Sequence, residues 1–327
     1  MSQVLSMSDK SAIAVEIGGS ALRLGLVDRD GRIMRSDRKE SAALRDQTTA
    51  SKVLMDYIRE FLGDQPIEDF AGIGIALAGL VDHEARSMVL ASNLGWRDFH
   101  MGDEIEAMTG MTVIVDKDTN MSAIGELRAG AGRELNSFIY AALGTGAGGA
   151  VIYDGRLVRG IGNRGGEFGH LYSGGDALCG CLSRGCLETI AGGAHISRRA
   201  REAIAKGRGR KILALAAGSE HDITAKTVVE AAEQGDEAAL GILSDAARAV
   251  SVGLLNAVRM IYPQAVILGG SVGSVREFIF DPVKAFVEGM SVLPGTNLPA
   301  VKVLPAGLGD TAALIGAGLS VSRDVNG

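Results

Sequence analysis

What most limits the folds open to this chain is that its opening pattern occurs twice. Ser11 to Ile17 is apolar and β-branched and turns at Gly18-Gly19; a second apolar run, Ala21 to Val27, turns at Asp28-Arg-Asp-Gly31 before Arg32 to Arg35. Far downstream, Ser137 to Leu143 runs into Gly144-Thr-Gly146, a further run covers Gly149 to Tyr153, and Asp154-Gly-Arg-Leu157 repeats Asp30-Gly-Arg-Ile33. Apolar alternation bounded by glycine turns predicts a strand, a hairpin and another strand in both places. Recurrence of the whole unit predicts an internal duplication. At 327 residues the chain also exceeds the ~250 to 300 at which one core stops growing, so two domains are expected.

Each half then alternates helix and strand. The first shows helical spacing around Thr49 to Leu62, a strand over Phe70 to Ala76, a helix around Met101 to Met108, a strand over Met111 to Val115 and a helix from Asn120. In the second, helices around Leu187 to Ala205, Thr224 to Gln234 and Glu237 to Tyr262 precede a strand, Ala265 to Leu268. A helix near Ser274 to Glu288, a strand over Ala300 to Leu304 and a last helix over Thr311 to Val321 complete it. The expectation is an α/β chain with residues 1–118 as a smaller N-terminal domain and 119–310 as a larger one. The last helix, within 311–327, packs back onto the first, and ligand occupies the cleft between halves.

Composition narrows the function. Aromatic residues are only 4% and hydrophobic residues 46%, so the cores must be built from Ala, Val, Ile and Leu. Glycine, 46 residues, is about twice the usual ~7% and sits in loops between strands, where backbone can approach a ligand. Thirty-three basic against 39 acidic residues, a net charge of -6, argue against a nucleic-acid or anionic-membrane partner. The start, MSQVLSMSDK, has no cationic or apolar segment, and the uncharged apolar run Ala71 to Val81 is too short to span a bilayer. A soluble cytoplasmic protein is expected.

Three glycine turns and one cysteine cluster carry the chemistry. Glu16-Ile-Gly18-Gly19-Ser20 offers backbone N–H groups, a hydroxyl and a carboxylate suited to phosphate and Mg²⁺. Gly144-Thr145-Gly146 stands at the corresponding place in the second half, and the pair could hold a polyphosphate from opposite sides. A plain hairpin turn is the alternative for each. Gly269-Gly270 follows a strand and opens toward a helix, a geometry suited to a nucleotide's ribose or α-phosphate or to a simple connection. His170, Cys179, Cys181 and Cys186, within 17 residues, form the Cys₃His set of a closed structural zinc site. With four protein ligands no position is left for a catalytic water, so the zinc shapes a loop. Three buried thiols and a core histidine are the alternative.

These residues resemble the ROK (repressor, open reading frame, kinase) sugar kinases and regulators of the actin-like ATPase superfamily. The likeness is carried by Glu167-Phe-Gly-His170, Cys179-Gly-Cys181-Leu-Ser-Arg-Gly-Cys186-Leu-Glu188, Asn93-Leu-Gly-Trp96, Pro263 to Gly270 and Gly307-Leu-Gly-Asp310, and extends from Ala12 to about Leu319. It implies two duplicated ribonuclease H-like domains, ATP with Mg²⁺, a structural Zn²⁺, a sugar substrate and a homodimer. By the same likeness Glu16, Gly18, Gly19, Ser20, Gly144, Thr145, Gly146, Gly269 and Gly270 hold the nucleotide, and Asn93, Asn120, Glu167, His170 and Glu188 face the sugar. Asp116-Lys-Asp-Thr-Asn120 occupies the place of the family's catalytic stretch, making Asp118 the general base, with a helix-capping role as its alternative. The resemblance implies a kinase acting on a primary hydroxyl. Its alternatives are a weakly catalytic sugar-binding relative and a regulator, the latter disfavoured by the few residues preceding Ser11.

Two positions depart from the family. Glu16 stands where aspartate is usual, and Lys117 stands in place of the sugar-binding asparagine. A lysine only donates and adds charge, so in the cleft it would favour an acidic or oxygen-rich acceptor.

Overall fold

A computed structural model describes residues 10–91 and 93–321. The first nine residues and residues 322–327, which the sequence assigns to the first domain, lie outside them. The chain forms two compact units. One comprises the described residues up to Glu134, the segment Asp154–Gly165 and the described residues from Gly307 onward; the other comprises Leu135–Tyr153 and Gly166–Ala306.

In the first unit β1 (Ala12–Ile17) and β2 (Ala21–Val27) form the expected hairpin, and β3 (Ile33–Glu40) extends it antiparallel. β4 (Ile73–Leu77) pairs parallel with β1. A separate antiparallel sheet, β5 (Leu80–Asp82), β6 (Ser87–Ala91) and β7 (Trp96–Phe99), follows before β8 (Val113–Lys117) returns parallel to β4. The main sheet order is β3-β2-β1-β4-β8. Its parallel strands are apolar throughout, as strands covered on both faces must be: β4 is buried at every position.

The second unit repeats this order. β9 (Phe138–Leu143) and β10 (Ala147–Tyr153) pair antiparallel, while the two-residue β11 (Arg156–Leu157) belongs to the segment returned to the first unit. β12 (Ala265–Gly269) pairs parallel with β9, and β13 (Lys302–Pro305) parallel with β12. Hairpin followed by two parallel neighbours, in the same spatial sequence, is the duplication in three dimensions. The core of this unit is largely aliphatic, with Phe168 and Phe280 as its aromatic members. The helix Glu237–Ile261 passes the length and hydropathy test for a membrane span, yet its apolar residues recur at three- and four-residue spacing and half of it is buried in this core.

The last helix, Ala312–Ser320, is buried along its length against β1, β4 and the helix Asp118–Ala129. Small residues permit that depth. A Cβ at Gly74 would lie 1.8 Å from Ala317 O, and one at Gly316 would lie 1.7 Å from Met121 O. Backbone therefore packs on backbone, which places the helix Asp118–Ala129 in the first unit. The units divide beyond it, after Glu134, where the sequence suggests a boundary at Asp118.

Two other elements differ from the sequence pattern. The helical run from Leu187 is broken at Gly192 into Glu188–Ala191 and Gly193–Ala205. The helix anticipated from Ser274 begins only at Asp281, after a wider turn over Arg276–Phe280, because Pro282 fits the first turn of a helix and not its interior.

Candidate active site and metal centre

Glu16 is the penultimate residue of β1 and stands opposite Arg23 in the β1-β2 hairpin. Arg23 of β2 donates to Glu16 Oε1 at 2.7 Å and reaches Asp310 Oδ2 at 3.4 Å. Burial pushes the Glu16 carboxyl above its ordinary value, opposed by the Arg23 guanidinium. Its Oε2 is buried without a partner among the described residues. An orphaned carboxylate oxygen is costly to bury and suits a hard cation such as Mg²⁺. Gly19 lets Asn93 come close: a Cβ there would lie 2.9 Å from Asn93 Cβ. Asn93 precedes β7, whose Trp96 is anchored by a 2.8 Å bond to Leu44 O.

At the end of β8 a buried charge organises the expected catalytic stretch. Asp116 is fully buried, and its Oδ1 accepts from Lys117 N (2.7 Å), Asn120 Nδ2 (2.7 Å) and Asn163 Nδ2 (2.8 Å). Its Oδ2 takes Arg159 Nε at 3.0 Å and lies 3.4 Å from His83 Nδ1. A buried carboxylate persists only when so paired. Asp118 is the first residue of the following helix and half-buried, and its Oδ1 accepts from Thr119 N at 2.7 Å. The cap position belongs to Lys117, which makes no side-chain cap. Lys117 is itself buried, and its Nζ donates to Gly165 O at 3.1 Å. Asn120 is fully buried and commits its amide nitrogen to Asp116 and Asn163.

In the second unit the glycine turns converge on the end of β9. Gly270 has φ +83°, and a Cβ there would lie 2.3 Å from Leu143 O, so only glycine fits. Val272 N donates to that same carbonyl at 2.8 Å. The turn Gly144–Gly146 beside it is fastened by Gly193 N to Gly144 O (2.8 Å) and Ala194 N to Thr145 O (2.9 Å). Ala147 N donates to Glu188 Oε2 at 2.9 Å. Thr145 is exposed, and the N–H groups of Thr145 and Gly146 have no acceptor among the described residues.

The four metal-ligand candidates come together as their spacing predicts. One ligand atom from each of His170, Cys179, Cys181 and Cys186 lies within 4.8 Å of every other. Cys179 Sγ is 3.6 Å from His170 Nδ1, and Cys181 Sγ is 3.6 Å from Cys186 Sγ. A tetrahedral ion with ~2.3 Å metal–sulfur bonds has ligand–ligand edges of ~3.8 Å, so the cluster fits zinc. Burial pushes the Cys179 thiol up to about 12, and a bound metal must displace that proton. His170 Nε2 lies 3.9 Å from Glu167 Oε2, leaving that edge of the ring away from the thiols.

The candidate residues thus fall into one set in each unit. Glu16, Gly18, Gly19, Ser20, Asn93, Lys117, Asp118 and Asn120 are in the first; Gly144, Thr145, Gly146, Glu167, His170, Cys179, Cys181, Cys186, Glu188, Gly269 and Gly270 are in the second. Arg23, Arg159 and Asn163 escaped the sequence reading, and Asp116 and Asp310 entered it only as members of family-like stretches without a role of their own. An aspartate ending the apolar run Val113-Ile-Val115 is a buried charge in need of partners, and that signal points to Asp116. Nothing in the sequence pairs it with Arg159 and Asn163. A cavity of about 850 Å³ in the second unit, lined by Ser173, Thr189, Arg198, Glu202 and Arg248 among others, contains none of these residues.

A duplicated sheet with a glycine turn after the first strand of each copy is the plan of the actin-like ATPases. The ROK family model matches residues 12–323, and the chain belongs to the ROK family. It is 30% identical to a glucokinase of Halalkalibacterium halodurans, over 98% of this chain and 97% of that enzyme. A ROK family glucokinase from Streptomyces griseus, solved in complex with glucose and AMPPNP, superposes with a TM-score of 0.81 at 32% identity, covering 96% of this chain and 99% of that one. A xylose repressor of Bacillus spizizenii is 26% identical, over 93% of this chain and 75% of the repressor.

Proposed function

We propose that this sugar kinase transfers the γ-phosphoryl group of ATP to a primary hydroxyl of a hexose, amino sugar or related sugar, with Asp118 as general base. The observation that carries the assignment of the base is the contrast between two neighbouring aspartates. Asp116 is fully buried with both oxygens engaged, whereas Asp118, at the start of the helix, is half-buried. A sugar hydroxyl is a weak nucleophile, and a carboxylate within hydrogen-bond reach takes its proton as it attacks phosphorus. Named glucokinases among the relatives support a hexose as acceptor.

Glu16, with its orphaned Oε2, is the residue suited to hold Mg²⁺ with the nucleotide, and the ion supplies charge neutralisation on the phosphates when bound. Thr145 N and Gly146 N offer donors to phosphoryl oxygens. His170, Cys179, Cys181 and Cys186 hold a structural zinc that fixes the imidazole's tautomer, so that Nε2 and Glu167 are oriented toward the sugar.

The Arg23 guanidinium on Glu16 favours a second reading, a weakly catalytic sugar-binding relative, because a cation must compete with that ion pair. Measuring ADP formation with wild type and Asp118→Asn across a sugar panel separates the two. A sugar-dependent rate lost in the variant supports the kinase; equal, negligible rates in both support the binder.

A further inference from the structure

The metal cluster and the Gly144–Gly146 turn are adjoining parts of one clasp. Leaving the cluster, the chain passes directly from Cys186 through Leu187 to Glu188, whose Oε2 accepts from Ala147 N at 2.9 Å and whose Oε1 lies 3.5 Å from Cys179 Sγ. One side chain therefore touches a ligand of the cluster at one oxygen and the base of the turn at the other. The close approach is built in, since a Cβ at Gly146 would lie 2.4 Å from Glu188 Oε2. The other arm of the metal loop closes on the same residue: Gly169, next to His170, is so near that a Cβ there would lie 1.8 Å from Ala147 O. Beyond Glu188, Gly192 packs against Gly146, and Gly193 N and Ala194 N donate to Gly144 O and Thr145 O. The turn is thus gripped by segments whose geometry the four metal ligands define.

We propose that Glu188 is a positioning residue through which occupancy of the His170, Cys179, Cys181 and Cys186 cluster sets the affinity of the Gly144–Gly146 turn for a phosphoryl donor. The proposal rests on that turn being a phosphate loop. Without metal the loop from His170 to Glu188 gains freedom, and a turn whose N–H groups are no longer pre-aimed must be ordered by the nucleotide at a cost in affinity. The metal would then govern nucleotide binding even with no sugar present, an effect separate from any contact His170 makes.

Calorimetric titration with Mg·ATP, without sugar, tests this on the whole chain in four states: wild type and Glu188→Ala, each zinc-loaded and zinc-depleted. Depletion is expected to weaken wild-type binding about tenfold, and Glu188→Ala to weaken the loaded protein about tenfold, the order expected when a charged hydrogen bond is lost. Depleting Glu188→Ala should add little, because both changes cut one connection. Glu188→Gln, which keeps an acceptor for Ala147 N, should bind like wild type when loaded. If Glu188→Ala fails to fold, Glu188→Asp, one methylene short of Ala147, takes its place. Independent losses that multiply to about a hundredfold, or an affinity indifferent to zinc and to Glu188, would overturn the proposal. Failure of loaded wild type to bind Mg·ATP at all would instead overturn the phosphate-loop reading beneath it.

Discussion

The two glycine turns look like copies in the sequence, yet the fold holds them by different means. Gly18-Gly19 is closed by one backbone bond, Gly18 N to Ala21 O, and flanked by charges: Glu16, Arg23 and Asp310 form a chain of ion pairs at one side, and the Asn93 side chain rests on Gly19. Gly144–Gly146 is held mainly by backbone, through Gly193, Ala194 and Ala147, with Glu188 as its one carboxylate. Duplication preserved the strand, the turn and the next strand, and left the fastening free to diverge. A turn fastened by ion pairs should answer to pH and to cations. One fastened by close backbone packing should answer to added volume.

The largest effect is expected outside both turns. Asp118→Asn keeps a half-buried oxygen at the helix start but removes the base, so kcat should fall by ~10² or more with Mg·ATP affinity unchanged at either turn. Comparing kcat with calorimetric affinity checks it.

Added volume separates the turns directly. Gly146→Ala would drive a methyl to 2.4 Å from Glu188 Oε2 and push that carboxylate off Ala147 N, and should weaken nucleotide binding about tenfold, whereas Gly19→Ala meets Asn93 Cβ at 2.9 Å, a shallower overlap, and should cost about threefold. Equal losses would erase the distinction.

Removing the metal expected at the His170, Cys179, Cys181 and Cys186 cluster should act first on the second unit, which holds all four residues. Cys181→Ser should lower the metal content from one ion per chain and drop Tm by about 5 °C, as expected if ~2 kcal/mol is lost from a unit of this size. Elemental analysis with a calorimetric melt reads both. Metal loss with unchanged melting would break the account of a structural site.

A pH titration interrogates the first turn. Because the Glu16 carboxyl is raised in the fold, the folded chain binds that proton more tightly than the unfolded chain. As pH climbs from the ordinary carboxylate value through the raised one, Glu16 ionises, its contribution to stability declines, and its affinity for Mg·nucleotide increases. In Glu16→Gln both slopes should flatten, measured by melts and nucleotide titrations over acidic to neutral pH.

The smallest effect concerns the acceptor. Lys117 is buried against Gly165 O, so Lys117→Asn removes a donor from that turn and should raise activity on neutral hexoses relative to acidic ones by a few-fold. Identical substrate profiles would remove Lys117 from acceptor choice.

Much of this was legible before any coordinates. Alternating apolar runs ending in glycine gave both hairpins, and three thiols within eight residues of one another could hardly avoid meeting near His170. The sheet β5-β6-β7 was not legible: its strands are three to five residues long and are separated by the polar turn around His83 to Arg86, too short for a periodic signal. The partners of Asp116 were hidden for a different reason. Arg159 and Asn163 come from a segment that leaves the second unit and returns to the first, and no local pattern reports such a crossing. The reading of Asn120 as a sugar contact followed its place in the stretch; in the fold its amide nitrogen is held by Asp116 and Asn163, while its Oδ1 is buried without a partner among the described residues.

Phosphorus NMR of the protein with Mg·ATP and a hexose tests the central claim most directly. The account predicts a sugar phosphate ester appearing in step with ADP, absent when the sugar is omitted and nearly absent with Asp118→Asn. ATP left intact, or cleaved to ADP and inorganic phosphate whether or not a sugar is supplied, would contradict it.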